Sequence, residues 1–300
     1  MGQIHGGRDQ SAKSSHVGME GKRALVTGAN SGMGLATSVA LARMGAEVVM
    51  VCRSESRGKE ALLRAKQESE SERLSLMLCD LGSLDSIRRF AELFNQQYDS
   101  LDVLVNNAGV ITLKRQETAD GFEQMLGVNH LGHFLLTGLL LDKLKAAPNA
   151  RIVNVSSGAH KAGRIDWNDP HLKNGFNVMK GYGQSKLANI WFTIELAERI
   201  KGTGMTANCL HPGAVGTQIG VDRSTGFGKT ILKLLSYVFL TPEQGAETAI
   251  YLASSPEVAE ISGKYFYKKK VTDTSILAGD REQAKKLWEW SEEQVQFQWE

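Results

Sequence analysis

Short apolar runs rich in β-branched residues recur along the chain from residue 21 and alternate with longer segments of helical period. The runs are Arg23–Thr27, Glu47–Cys52, Leu74–Cys79, Val103–Asn106, Arg151–Val155, Met205–Leu210 and Gly263–Phe266. Most are apolar at nearly every position, as strands covered by helices on both faces require. Between them the pattern predicts helices at 33–44, 55–69, 84–98, 118–146, 179–201 and 242–254. Start signals support several of these, such as Ser83 before Asp85 and Thr241-Pro242 before Glu243. The alternation argues for βα units, and so for an α/β fold on a doubly wound parallel sheet of about seven strands. The rhythm runs to residue 267 with no linker or repeat, so 21–300 is expected to be a single domain and 1–20 a disordered tail. Two irregular stretches, 158–178 and 212–241, follow strands, where ligands bind in such sheets.

Composition narrows the classes without naming one. Lys+Arg 35 against Asp+Glu 33 leaves a net charge of +2, too weak a field to favour nucleic acid as a partner. Cys52, Cys79 and Cys209 lie far apart in apolar runs, which excludes a disulfide framework or a CxxC site and fits a reducing, cytoplasmic setting. No apolar stretch reaches the roughly 18 residues that a bilayer requires, so no transmembrane span is expected. His130 and His133 are three apart on a helix, but no carboxylate or cysteine cluster accompanies them, and no metal is expected.

The chemistry begins at Thr27-Gly28-Ala29-Asn30-Ser31-Gly32-Met33-Gly34, which follows the first strand and opens the first helix. Gly28, Gly32 and Gly34 allow a tight turn and a close backbone approach to a pyrophosphate, whose charge meets free N–H groups at a helix N-terminus. An NAD site would place a carboxylate at the end of the second strand. The residues there are Val51-Cys52-Arg53, and the Arg53 fork suits a 2′-phosphate, with Asn30 and Ser31 adding hydrogen bonds. NADP is therefore favoured over NAD. Farther on, Tyr182 and Lys186 share a helical face at i, i+4. A Lys ammonium about 5 Å away at an effective dielectric near 20 would lower the phenol pKa by about two units, into a catalytically useful range.

These pieces stand with Asn106-Asn107-Ala108-Gly109 after the fourth strand, Asn129 in the following helix and Ser156-Ser157 after the fifth. Together they resemble the short-chain dehydrogenase/reductase family over about 21–267. The 25-residue gap from Ser157 to Tyr182, with Leu210-His211-Pro212-Gly213 and Leu287-Trp288-Glu289, looks like the branch of retinol dehydrogenases and WW-domain-containing oxidoreductases. The resemblance implies a seven-stranded Rossmann-type sheet and hydride transfer between a nicotinamide and a carbonyl or alcohol. It implies a tetrad of Asn129, Ser157, Tyr182 and Lys186, in which Lys186 lowers the Tyr182 pKa and Asn129 holds a water. It also implies cofactor contacts at Met33, Asp80, Leu81, Asn107, Ala108, Gly109, Pro212, Gly213, Val215 and Thr217, with Tyr182 and Lys186 again. His211 is expected to act through its backbone near the nicotinamide.

The expected substrate is an apolar aldehyde, ketone or secondary alcohol, with Phe176, Val215, Ile219 and Phe227 lining its pocket, and homo-oligomerisation is left open. The rival class is a noncatalytic NADP-binding sensor or interaction protein, which would have no use for an intact tetrad. The apolar stretch 231–240 suits either a substrate lid, the favoured reading, or a membrane surface. Lys268-Lys269-Lys270 reads as a solvated charge run.

Overall fold

The computed structural model describes residues 18–213 and 240–299. Val215, Thr217, Ile219, Phe227 and nearly all of the 231–240 stretch lie outside the described residues, as does most of the expected tail. The tail's last residues are built into the fold. Met19 is buried, and its N–H donates to the Met44 carbonyl at 2.7 Å.

The sheet contains β1 (Arg23–Thr27), β2 (Glu47–Cys52), β3 (Leu74–Leu78), β4 (Val103–Asn106), β5 (Arg151–Val155), β6 (Thr206–Leu210) and β7 (Tyr265–Tyr267). These seven are parallel, in the order β3-β2-β1-β4-β5-β6-β7. An eighth strand, β8 (Lys270–Val271), pairs antiparallel with β7 and takes the sheet past the expected seven. The lysine run is therefore structural as well as solvated. Lys268 and Lys269, at φ 49° and 63°, form the turn between β7 and β8.

The helices are α1 (Gly32–Arg43), α2 (Glu55–Ser69), α3 (Leu84–Gln97), α4 (Gln124–Leu126), α5 (Gly132–Leu139), α6 (Leu141–Lys145), α7 (Val178–Arg199), α8 (Pro242–Ser254) and α9 (Arg281–Val295). Successive strand residues point to opposite faces, and both faces are apolar. Leu25, Leu104 and Ile152 pack with Phe90, Phe94, Phe134, Phe192 and Trp288 from α3, α5, α7 and α9. Ala24, Val26 and Val105 pack on the other face with Leu35, Val39 and Leu252 from α1 and α8. This two-sided burial explains why the runs show no polar alternation.

Two helical expectations change. The predicted 118–146 helix is broken, because the buried Glu123 carboxylate accepts from the Met125 and Leu126 N–H groups at 2.9 and 2.8 Å and starts the helix there. A π-helical turn, Gly127–Leu131, follows, in which the Gly132 N–H bonds to the Gly127 carbonyl five residues back. Gly132 itself lies against the Leu81 carbonyl, where a Cβ would collide. The second change is α9, which the sequence analysis did not assign. Asp280 caps it, and it buries Ala284, Leu287, Trp288, Ser291 and Val295 along one stripe. Among the described residues, no helix is long and apolar enough to cross a membrane.

Candidate active site

Strand β1 lies between β2 and β4, so the chain leaves the sheet in opposite directions at the carboxyl ends of β1 and β4. Open α/β sheets bind ligands at such a switch point. The glycine turn sits there. Gly28 and Gly32 have φ of 65° and 54°, and a Cβ on Gly28 would lie 2.9 Å from the Ala108 Cα. A Cβ on Gly34 would strike the Gly28 carbonyl and the Asn107 amide, so the glycines here allow close backbone packing as well as a sharp turn. Ser31, the N-cap of α1, makes no side-chain capping bond, and the first turn holds no acidic residue. The N–H groups at this helix start therefore lack a side-chain acceptor, which fits an anionic pyrophosphate.

The catalytic candidates converge beside this turn. Ser157 ends β5 and caps a short 3-10 turn, accepting from the Ala159 N–H at 3.2 Å. Its hydroxyl lies near that of Tyr182 on α7, close enough to favour the Tyr182 anion. One turn along α7, Lys186 donates from Nζ to the Val155 carbonyl at 3.1 Å, with Nζ 5.6 Å from the Tyr182 ring centroid. A methyl on Gly109 would lie 3.5 Å from both Lys186 Nζ and Asn129 Oδ1, so Asn129 belongs to the same cluster.

Over residues 22–227 the chain matches the sequence model of the family described as short chain dehydrogenase. The chain belongs to the short-chain dehydrogenase family. Retinol dehydrogenase 14 of Homo sapiens is 45% identical over 292 residues, covering 92% of this chain and 87% of that protein. Retinol dehydrogenase 12 of Mus musculus is 41% identical over 286 residues, covering 95% and 90%. These relatives place the chain in the retinol dehydrogenase branch. A crystal structure of an uncharacterized protein from Mycobacterium Paratuberculosis superposes with a TM-score of 0.77 at 31% identity, over 95% of this chain and 97% of that one. The Pseudomonas aeruginosa RhlG/NADP active-site complex gives 0.66 at 25% identity, over 84% and 96%.

Within this short-chain dehydrogenase framework, burial changes the expected proton chemistry. It raises the Tyr182 pKa above its ordinary value of 10.0, and the nearby Ser157 hydroxyl only partly offsets the rise. Burial also pushes Lys186 down to about 8. Burial thus outweighs the lowering expected from the Lys186 ammonium, and the phenol is a neutral acid at pH 7. Asn129 is held by its side-chain amide. Its Oδ1 accepts from the Val110 N–H at 2.7 Å, and its Nδ2 donates to the Val110 carbonyl at 3.1 Å and to Ser185 Oγ at 3.0 Å. Both amide hydrogens thus brace the loop after β4 against α7, while Oδ1 keeps a second acceptor position.

Several expected cofactor residues also shape the site. Asn107 donates from its amide to the Thr27 carbonyl at 2.7 Å and from its backbone N–H to Thr27 Oγ1 at 2.9 Å. The Asp80 carboxylate accepts from the Gly82 N–H at 2.9 Å, while Leu81 is buried under Gly132. Arg53, directly after β2, is exposed. His211 accepts the Gly213 N–H at 3.1 Å and stacks on Tyr267 with ring centroids 4.2 Å apart, which fixes the turn through Pro212 and Gly213. The sequence analysis gave no role to His160, whose Nδ1–H donates to the Ser157 carbonyl at 2.8 Å. Thr27, the first residue of the glycine-turn motif, and Ser185, beside Lys186, also hold the site together through their hydroxyls. Among the described residues, no group of three or more His, Cys, Asp or Glu side chains could hold a metal. His130 and His133 take separate partners, Ser291 and Thr27.

Proposed function

We propose that this protein is an NADP-dependent oxidoreductase that interconverts an apolar aldehyde or ketone and its alcohol, using Ser157, Tyr182 and Lys186. The observation that carries the reading is the Ser157–Tyr182 hydroxyl pair, with Lys186 one turn away, beside a helix start that suits a dinucleotide. The glycine turn would hold the pyrophosphate and Arg53 the 2′-phosphate. When bound, the nicotinamide supplies the hydride.

In the reduction direction the Ser157 hydroxyl donates a hydrogen bond to the substrate carbonyl oxygen and fixes its position. Tyr182 gives its proton to that oxygen as negative charge develops there, and the product is the alcohol. A phenol kept neutral by burial is ready for this role at pH 7. Lys186 carries three donor hydrogens when protonated, one of them directed at the Val155 carbonyl. The remaining hydrogens serve the nicotinamide ribose and the return of a proton to the tyrosinate. A noncatalytic sensor would have no use for this convergence of hydroxyls and amine.

The test is NADPH oxidation across a panel of apolar aldehydes and ketones, including retinal because the named relatives are retinol dehydrogenases. Tyr182→Phe should lower turnover by about 10²- to 10⁴-fold while NADPH still binds, as followed by fluorescence titration. Near-parental turnover in that variant would refute the assignment. Arg53→Ala should weaken NADPH by about ten- to a hundredfold and NADH far less. A parent protein that prefers NADH would show the end of β2 to be misread.

A further inference from the structure

One buried polar node is not used by the proposed chemistry. The His133 ring, on α5, is enclosed within the fold. Its Nδ1 lies 3.1 Å from the Asn129 carbonyl oxygen, and its Nε2 lies 2.9 Å from Thr27 Oγ1. A carbonyl can only accept, so Nδ1 carries the ring proton and Nε2 accepts from the Thr27 hydroxyl. The Thr27 oxygen in turn accepts from the Asn107 and Ala108 N–H groups at 2.9 and 3.0 Å. The Thr27 hydroxyl also lies 3.4 Å from the Val105 carbonyl, but His133 Nε2 is the nearer acceptor, so every hydrogen in the chain points one way, from the backbone after β4 through Thr27 and His133 to Asn129.

The two ends belong to different halves of the site. Thr27 precedes the glycine turn, and Asn107-Ala108 packs against Gly28. Asn129 sits on the π-helical turn, and its amide is already committed to Val110 and Ser185. A buried imidazole stays neutral here, because burial pushes its pKa down to about 4 and the Lys186 charge acts in the same direction, with only the Asn129 carbonyl opposing. The ring is therefore neutral at pH 7, and the acceptor-only Asn129 carbonyl fixes its tautomer.

We propose that His133 is a positioning residue whose Nδ1-protonated ring holds the Asn129 turn in register with the Thr27–Asn107 crossing that shapes the cofactor cradle. This rests on the oxidoreductase reading above. A plain core histidine would occupy the same volume, so the test must separate hydrogen-bonding from filling. Asparagine places its amide nitrogen near the position of Nδ1, and glutamine places its terminal amide near that of Nε2. His133→Asn thus keeps the Asn129 contact and loses Thr27, whereas His133→Gln keeps Thr27 and loses Asn129.

The expected result is a split. In His133→Asn the larger loss falls on NADPH affinity, about tenfold, and in His133→Gln it falls on kcat, again about tenfold. Losses of affinity and kcat in equal proportion in both variants, tracking Tm, would overturn the proposal, as would a reversed split or parental values in His133→Phe. A nitrogen-15 spectrum of histidine-labelled protein at pH 7 gives a readout that needs no activity. An Nδ1–H neutral ring is expected at position 133, and an Nε2–H or doubly protonated ring would overturn the proposal. A parent that neither binds NADPH nor reduces any carbonyl would refute the oxidoreductase reading, while the tautomer would still judge the His133 geometry.

Discussion

Lys186 shows how far a single residue was readable. Its i, i+4 spacing from Tyr182 was plain in the sequence, because helical periodicity is local. Its protonation was not, because burial depends on how α7 packs against β5, and no spacing rule reports that. Burial lowers the folded-state pKa from the ordinary 10.5 to about 8. Between those values the unfolded chain binds a proton that the folded chain does not, so this residue's contribution to stability rises with pH across that window. Below about 8 the full penalty of the buried ammonium applies. Lys186→Met should therefore raise the apo-protein Tm at pH 7 by a few degrees, equivalent to about 1–3 kcal/mol, while abolishing turnover. The gain should shrink as the pH approaches 10. A Tm deficit at pH 7 in thermal melts of both proteins would contradict this account.

Among the elements, the broken helix between residues 124 and 145 decides where Asn129 stands. Its apolar content was legible, and the prediction of a continuous helix followed from it. The π-helical turn was not legible, because a bond to the fifth residue back leaves no distinct pattern of side chains over so short a run. What enforces it is tertiary: Glu123 starts the helix from within the core, and Gly132 meets the Leu81 carbonyl. In an open helix Gly→Ala stabilises by about 1 kcal/mol. At Gly132 the sign should reverse, with Ala costing about 1–3 kcal/mol in urea unfolding because α5 must retreat from the loop after β3. Turnover should fall with it, since Asn129 lies in the turn that would move. A stabilised Gly132→Ala variant would show that the close approach is not maintained in solution. By contrast, α9 was readable, with Asp280 before an apolar stripe at helical spacing. It was passed over because the expected fold seemed complete at residue 267.

At the scale of the whole molecule, the end of the chain is part of the core. Trp288 is buried on α9, its ring 4.9 Å from that of Phe134 and under the Arg199 guanidinium at 4.3 Å. Trp299 and Phe297 reach back to Gly138, where a side chain would displace them. One residue along from Asn129, His130 joins Ser291 of α9 at 2.9 Å. Opposite sides of one turn thus face the candidate site and the C-terminal helix. Trp288→Ala should cost about 3–5 kcal/mol in denaturant unfolding, as a large aromatic truncation in a core does. A cost below about 1 kcal/mol would mean that α9 is an appendage. The doubly wound parallel sheet with helices on both faces could be anticipated from the apolar runs, but this closure could not, because it joins residues about half the chain apart, such as His130 and Ser291.

The β7–β8 hairpin has a consequence for how copies of the protein meet. A parallel sheet ending at β7 would present a row of unpaired backbone groups to any passing strand. Here the edge is folded over by two residues and carries Lys268, Lys269 and Lys270. Two of those lysines hold a left-handed backbone that glycine or asparagine would adopt with less strain. The hairpin thus tolerates a locally unfavourable turn, and lysines at a sheet edge are the kind of charge that opposes edge-to-edge pairing of sheets.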